Sequence, residues 1–145
     1  LPSELINTLS DDYIETLPKF NYLIDGAIEL LEYLKPKYKL FILTNGFKNV
    51  QSNKLNNSGI NNYFEKVFDS ESVGVKKPNP IIFKYALENS NSNADESLMI
   101  GDSFEADIMG AISVGMHAIH YANFGEKTHD KCLIINNLNT LKDIL

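Results

Sequence analysis

One stretch limits the folds open to this chain more than any other: Ser97-Leu98-Met99-Ile100-Gly101-Asp102-Ser103-Phe104-Glu105-Ala106-Asp107. Leu98, Met99 and Ile100 are apolar without alternation, which suits a strand covered on both faces. Gly101 allows the backbone to turn without a Cβ clash. Asp102 is therefore expected where a parallel strand ends, the edge at which open α/β sheets bind their ligands. A carboxylate there, with Asp107 five residues on, suits a hard cation such as Mg²⁺. Asp and Ser are also good helix caps, so the same residues fit the plain start of a helix.

The flanking sequence repeats the strand-then-helix pattern. Ala27 to Leu34 predicts a helix with Ile28, Leu31 and Leu34 on one face, Asp25 as cap and Pro36 as stop. Tyr38 to Leu43 predicts a strand ending in Thr44-Asn45-Gly46, then a polar helix from about Phe47 to Ser58 closed by Gly59. Tyr63 to Phe68 predicts a short helix and a weak strand, and Ser72 to Asn79 a loop. Asn79-Pro80 opens a helix to about Asn89, and Asn89 to Asp95 reads as a linker. A helix over about Phe104 to Val114, strands at His117 to Ala122 and Cys132 to Asn136, and a terminal helix from Leu138 complete the pattern. Strands alternating with helices across short turns predict a parallel sheet in a doubly wound, Rossmann-like α/β domain.

Composition narrows the function. A net charge of −6 argues against a nucleic-acid-binding surface. All 13 basic residues are lysines, so an anion would be held by lysine, backbone amides and hydroxyls rather than by an arginine fork. The single cysteine, Cys132, excludes an internal disulfide and fits a reducing, cytoplasmic setting, with Cys132 itself a core residue. No apolar run is long enough to span a bilayer. His117, His120, His129 and Cys132 are a weak metal set, because His117 and His120 point to opposite faces of a strand.

Thr44 and Asp102 end strands that are each followed by a crossover helix, so both lie on one edge of the sheet. Thr44 offers a hydroxyl, and Asn45 and Gly46 offer amides before a helix N-terminus; the same three residues also make good turn chemistry. Lys76-Lys77-Pro78 can bring a compact positive charge or simply a solvated lysine pair. Hydroxyl, amides, lysine and two acids together suit phosphoryl transfer, which needs positioning and neutralisation of spread negative charge.

The order Thr44-Asn45-Gly46, then Gly74-Val75-Lys76-Lys77-Pro78-Asn79-Pro80-Ile81-Ile82-Phe83, then Gly101-Asp102-Ser103-Phe104-Glu105-Ala106-Asp107 resembles the haloacid dehalogenase-like hydrolase superfamily. Within it the chain is most similar to small phosphatases of the pyrimidine 5′-nucleotidase kind, from about Asp25 onward. The resemblance implies a Mg²⁺-dependent phosphatase of small phosphorylated metabolites, with an aspartyl-phosphate intermediate. By resemblance, Thr44 binds a phosphoryl oxygen with the Asn45 and Gly46 amides, and Lys77 stabilises nucleophile and phosphate while Lys76 is a bystander. Asp102 holds Mg²⁺ directly or through water, Asp107 supports the ion or orients Lys77, and Asn123 falls near the same edge.

The chain also departs from that pattern. The superfamily's first motif, an apolar strand followed by Asp-x-Asp, supplies nucleophile and general acid, and Asp11-Asp12-Tyr13 has neither the spacing nor the strand. In the family that strand lies between those ending at Thr44 and Asp102. The expectation is a C-terminal portion of a longer protein, inactive alone, with residues 1–20 a remnant of a helical cap or a linker and 21–145 the core. Alternatives are a phosphomutase, a dehalogenase (disfavoured by Gly101-Asp102), or a non-catalytic α/β binding or regulatory module.

Overall fold

The computed structural model describes residues 22–122 and 128–145. The predicted cap remnant at residues 1–20 and Asn123 lie outside the described residues.

Helix α1 (Ala27–Leu34) leads to strand β1 (Phe41–Thr44), helix α2 (Lys48–Asn57), strand β2 (Lys66–Asp69) and a short helix α3 (Ser70–Val73). Helix α4 (Pro80–Ser90) precedes strand β3 (Leu98–Gly101). A π-helical segment, Phe104–Met109, then runs into helix α5 (Gly110–Ser113), followed by strands β4 (His117–Tyr121) and β5 (Leu133–Ile135). Single turns of 3₁₀-helix at Asn61–Tyr63 and Ala94–Glu96 and a longer one at Leu138–Asp143 fill the connections.

All strand pairs are parallel, as the alternation of strands and helices requires. β1 pairs with β2, setting Thr44 opposite Asp69, and β3–β4–β5 form a second group, with Gly101 opposite His120. Helices cover both faces. Leu30 and Leu34 of α1 pack with Ile119, Ile135 and Leu141 on one side, where Leu98 and Ile100 point. Ile82 and Phe83 of α4 and Ala111 of α5 form the other layer, which receives Leu43 and Met99. Gly110 permits that second layer, since a Cβ there would sit 2.5 Å from the Phe83 ring. This is the doubly wound α/β arrangement expected from the sequence.

Between β1 and β3 the sheet is open. Among the described residues these two strands do not pair, and a cavity of about 1090 Å³ lies between them, walled by Ile42, Leu43, Met99 and Ile100. Every residue of β1 and β3 is consequently only half-buried, although β3 is packed on both faces and β1 on the face of Leu43. The fully covered strand predicted at Leu98 to Ile100 is therefore covered on its faces but not along one edge.

Several local expectations are corrected. Asp25 does not cap α1; Gly26, at φ 80°, occupies that position without a side-chain bond. The buried positions of α1 are Leu30 and Leu34, one turn apart, while Ile28 is exposed. Part of the predicted loop after Ser72 is the end of α3, which Asp69 caps by accepting from the Ser72 amide at 2.8 Å. The linker predicted from Asn89 is partly helical, because α4 extends to Ser90 and ends on Asn91 in the left-handed region, φ 50°. The terminal helix is 3₁₀ rather than α. Cys132 is half-buried, at the margin of the core rather than inside it.

Candidate active site

Thr44 is the last residue of β1, and the chain turns there on a local bond: its Oγ1 accepts from the Gly46 N–H at 3.0 Å. That leaves the hydroxyl proton of Thr44 free to donate outward. The Gly46 amide, expected to face an anion, is instead occupied by this turn. The first amide of α2 is also occupied, with Lys48 N donating to Glu71 Oε2 at 3.1 Å.

Asn45 does more than its sequence suggests. Its side-chain amide clasps the backbone of Lys77 from both sides, Nδ2 donating to the Lys77 carbonyl at 3.0 Å and Oδ1 accepting from the Lys77 N–H at 2.7 Å. The Asn45 carbonyl in turn accepts from Ser70 Oγ at 3.1 Å. A side-chain amide matches a peptide's donor and acceptor spacing, so this pair fixes the loop holding Lys77 against the end of β1. The Lys77-Pro78 peptide within it is cis.

The Lys77 ammonium then spans the open edge. Nζ donates to the Leu43 carbonyl at 2.8 Å and to Asp107 Oδ1 at 2.5 Å. The side chains of this pair are 10% and 5% exposed, so it is largely out of water. Lys76 is exposed.

Asp107 is held from the other side by the Ser103 N–H, which donates to Oδ2 at 3.1 Å. Both carboxylate oxygens are therefore engaged, and Asp107 faces Lys77 and the backbone. Gly101 makes room for it: a Cβ at Gly101 would lie 2.4 to 2.5 Å from Asp107 Oδ2, Cβ and Cγ. The glycine serves close approach of the Asp107 side chain; its φ is not in the left-handed region. The Ser103 carbonyl accepts from both Asp107 N (2.9 Å) and Ile108 N (3.2 Å), the widened turn of a π-helix. The Ser103 hydroxyl caps this segment, accepting from the Ala106 amide at 3.1 Å.

Asp102 stands exposed just beyond β3, and among the described residues its carboxylate has no hydrogen-bond or ionic partner. Asn45, Lys77 and Asp107 thus form one bonded unit, with Thr44 directly before Asn45 at the end of β1 and Asp102 just beyond the end of β3. The histidines do not form a metal set: His117 is exposed and His120 buried, and among the described residues no three His, Cys, Asp or Glu gather around a common point.

The donor set is nevertheless suitable for Mg²⁺. That ion commonly takes one or two carboxylates and completes its shell with water and substrate phosphate, and Asp102 offers one unengaged carboxylate beside a cationic, hydroxyl-bearing edge.

Residues 2–121 match the model of the haloacid dehalogenase-like hydrolase family. The chain is 38% identical over 109 residues to pyrimidine 5′-nucleotidase YjjG of Escherichia coli, covering 74% of this chain and 48% of that protein. It is 42% identical over 106 residues to a glyceraldehyde 3-phosphate phosphatase of Pyrococcus abyssi, covering 71% of this chain and 44% of that protein. The chain thus spans about half the length of the curated relatives it matches. Among solved structures, that of the HAD-hydrolase YfnB from Bacillus subtilis bound to magnesium superposes with a TM-score of 0.88 at 31% identity, over 94% of this chain and 62% of that one. By motif order, sheet arrangement and these matches, the chain belongs to the haloacid dehalogenase-like hydrolases.

Proposed function

We propose that the complete protein is a Mg²⁺-dependent phosphatase of small phosphomonoesters, nucleoside 5′-monophosphates foremost, and that these 145 residues contribute the phosphate-binding and metal-holding side of its site, the nucleophile and general acid coming from elsewhere. One observation carries the reading: Lys77, clasped by Asn45, directs its ammonium between the Leu43 carbonyl and Asp107 at the open edge of the sheet. A buried lysine so placed neutralises charge on an incoming phosphoryl group while Asp107 fixes its position. Thr44 donates its hydroxyl proton to a phosphoryl oxygen, and the Asn45 amide faces the same group. Asp102 holds Mg²⁺, which when bound offsets phosphate charge.

The nucleophile comes from a segment outside these residues, an apolar strand followed by Asp-x-Asp. That strand lies in the cavity between β1 and β3, pairs with both, and brings its first Asp to the edge where Lys77 and Thr44 stand. The Asp oxygen attacks phosphorus, the ester oxygen leaves with a proton from the second Asp, and water then releases phosphate from the acyl phosphate. Relatives named as a pyrimidine 5′-nucleotidase and a glyceraldehyde 3-phosphate phosphatase support the substrate class.

The test is a phosphatase panel on the complete protein, with Mg²⁺ and with EDTA. Hydrolysis of nucleoside monophosphates that EDTA stops is the expected result. Undiminished hydrolysis in EDTA removes Asp102 from its role, and no hydrolysis of any phosphomonoester overturns the reading.

A further inference from the structure

Behind the Asp102 edge lies a line of hydrogen bonds that no sequence motif announces. His120, on β4, is 1% exposed. Its Nε2 lies 3.1 Å from the Asp102 carbonyl, and its Nδ1 lies 2.9 Å from His129 Nε2. His129 Nδ1 in turn accepts from the Lys131 N–H at 3.3 Å. The ring of His129 lies tilted by 38° against Phe104, the first residue of the π-helical segment, at 4.4 Å between centroids.

Chemistry fixes the protons along this line. A carbonyl only accepts, so His120 Nε2 carries a hydrogen. In a neutral ring, Nδ1 is then an acceptor, so His129 Nε2 carries the hydrogen between the rings. His129 Nδ1 is left to accept from Lys131, which is the geometry found. One pair of tautomers satisfies all these bonds, and every donor points toward Asp102.

The line continues past the carbonyl. The peptide joining Asp102 and Ser103 accepts from His120 on its oxygen and donates from its N–H to Asp107 Oδ2 at 3.1 Å, and Asp107 Oδ1 takes the Lys77 ammonium. Hydrogen bonds in series polarise one another, and a peptide held at both its oxygen and its N–H cannot rotate. We infer that His120 and His129 are positioning residues that lock the Asp102–Ser103 peptide, setting the direction of the Asp102 carboxylate and the seat of the Lys77–Asp107 pair.

This inference rests on the proposed roles of Asp102 and Lys77, and the experiment separates the two. In the complete protein without Mg²⁺, ¹⁵N-histidine NMR at pH 7.5 reads the tautomers directly. Both His120 and His129 are expected as Nε2–H forms, and an Nδ1–H form of His120 overturns the inference. Calorimetry with MgCl₂ then compares three variants. His129→Phe keeps a ring against Phe104 but removes the donor, and is expected to weaken Mg²⁺ binding about three- to tenfold, the scale of one net hydrogen bond acting on a ligand's support. His129→Gln restores an N–H donor toward His120 Nδ1 and recovers most of that loss. Asp102→Asn tests the metal site itself. If Asp102→Asn weakens Mg²⁺ binding while His129→Phe does not, the positioning role is wrong and the site stands; if Asp102→Asn changes nothing, the metal reading fails first. Should His129→Phe not fold, the tautomers of the unsubstituted protein decide.

Discussion

At the scale of single residues, the two adjacent lysines have opposite fates. Lys77 is bonded to a carbonyl and a buried carboxylate, whereas Lys76 points to solvent. Removing one partner of a buried ion pair leaves the other uncompensated and costs about 3–5 kcal/mol. Lys77→Ala is therefore expected to abolish phosphatase activity and to lower the unfolding free energy of the complete protein by roughly 3 kcal/mol. Lys76→Ala should move neither by more than about 0.5 kcal/mol, as for surface changes generally. Denaturant unfolding alongside steady-state kinetics checks both, and damage confined to Lys76→Ala would exchange the roles. Gly101→Ala sets a methyl against the Asp107 carboxylate; overpacking of this kind costs about 1–3 kcal/mol, and here it also displaces the anchor of Lys77, so activity falls with stability. The roles of Lys77 and Asp107 were picked out only through the motif resemblance, while the strand-end positions of Thr44 and Asp102 were legible because each closes an apolar run. The Asn45 clasp and the His120–His129 line were not, since both join residues whose meeting depends on side-chain direction across separate loops.

At the scale of elements, strands and helices were legible where apolar runs met strong punctuation. Pro80 after the Asn79 cap fixed the start of α4, and Gly59, at φ 72°, closed the turn after α2. What failed was local hydrogen bonding that competes with regular helix. Phe104 to Met109 carries an ordinary helical sequence, but Asp107 reaches back to the Ser103 amide while two amides share the Ser103 carbonyl, and the turn widens. Ser103 holds this arrangement together from its cap position. Replacing an N-cap serine by alanine costs about 1 kcal/mol. Ser103→Ala is accordingly expected to lower the unfolding free energy by about that amount, and Ser103→Asp, another good cap, to recover it in the same denaturant titration. An equal loss in both variants would show that the hydroxyl does not cap the segment.

At the scale of the molecule, the parallel pairs β1–β2 and β3–β4–β5 leave a cavity of about 1090 Å³ between Ile42 and Leu43 on one side and Met99 and Ile100 on the other. An apolar slot bordered by two strand edges that are unpaired among the described residues is costly if water fills it, because backbone donors and acceptors and apolar side chains are then exposed together. A strand lying there satisfies both edges and buries both walls. Ile42 distinguishes the two situations, since it lines the slot yet belongs to neither buried cluster. In a filled slot, Ile42→Asp buries a carboxylate without a partner and should cost more than about 3 kcal/mol, the range of an uncompensated buried charge. In a water-filled slot the same change should cost about 0.5 kcal/mol or less, as at an exposed site. Ile42→Val, which alters volume but not polarity, sets the scale for packing alone, at about 0.5–1.5 kcal/mol in a tight core. Chemical denaturation of the three proteins, each prepared at full length, is expected to place Ile42→Asp well below Ile42→Val. Near-equal midpoints for the aspartate variant and the unsubstituted protein would mean that no strand enters between β1 and β3, and the proposed source of the nucleophile would have to be abandoned.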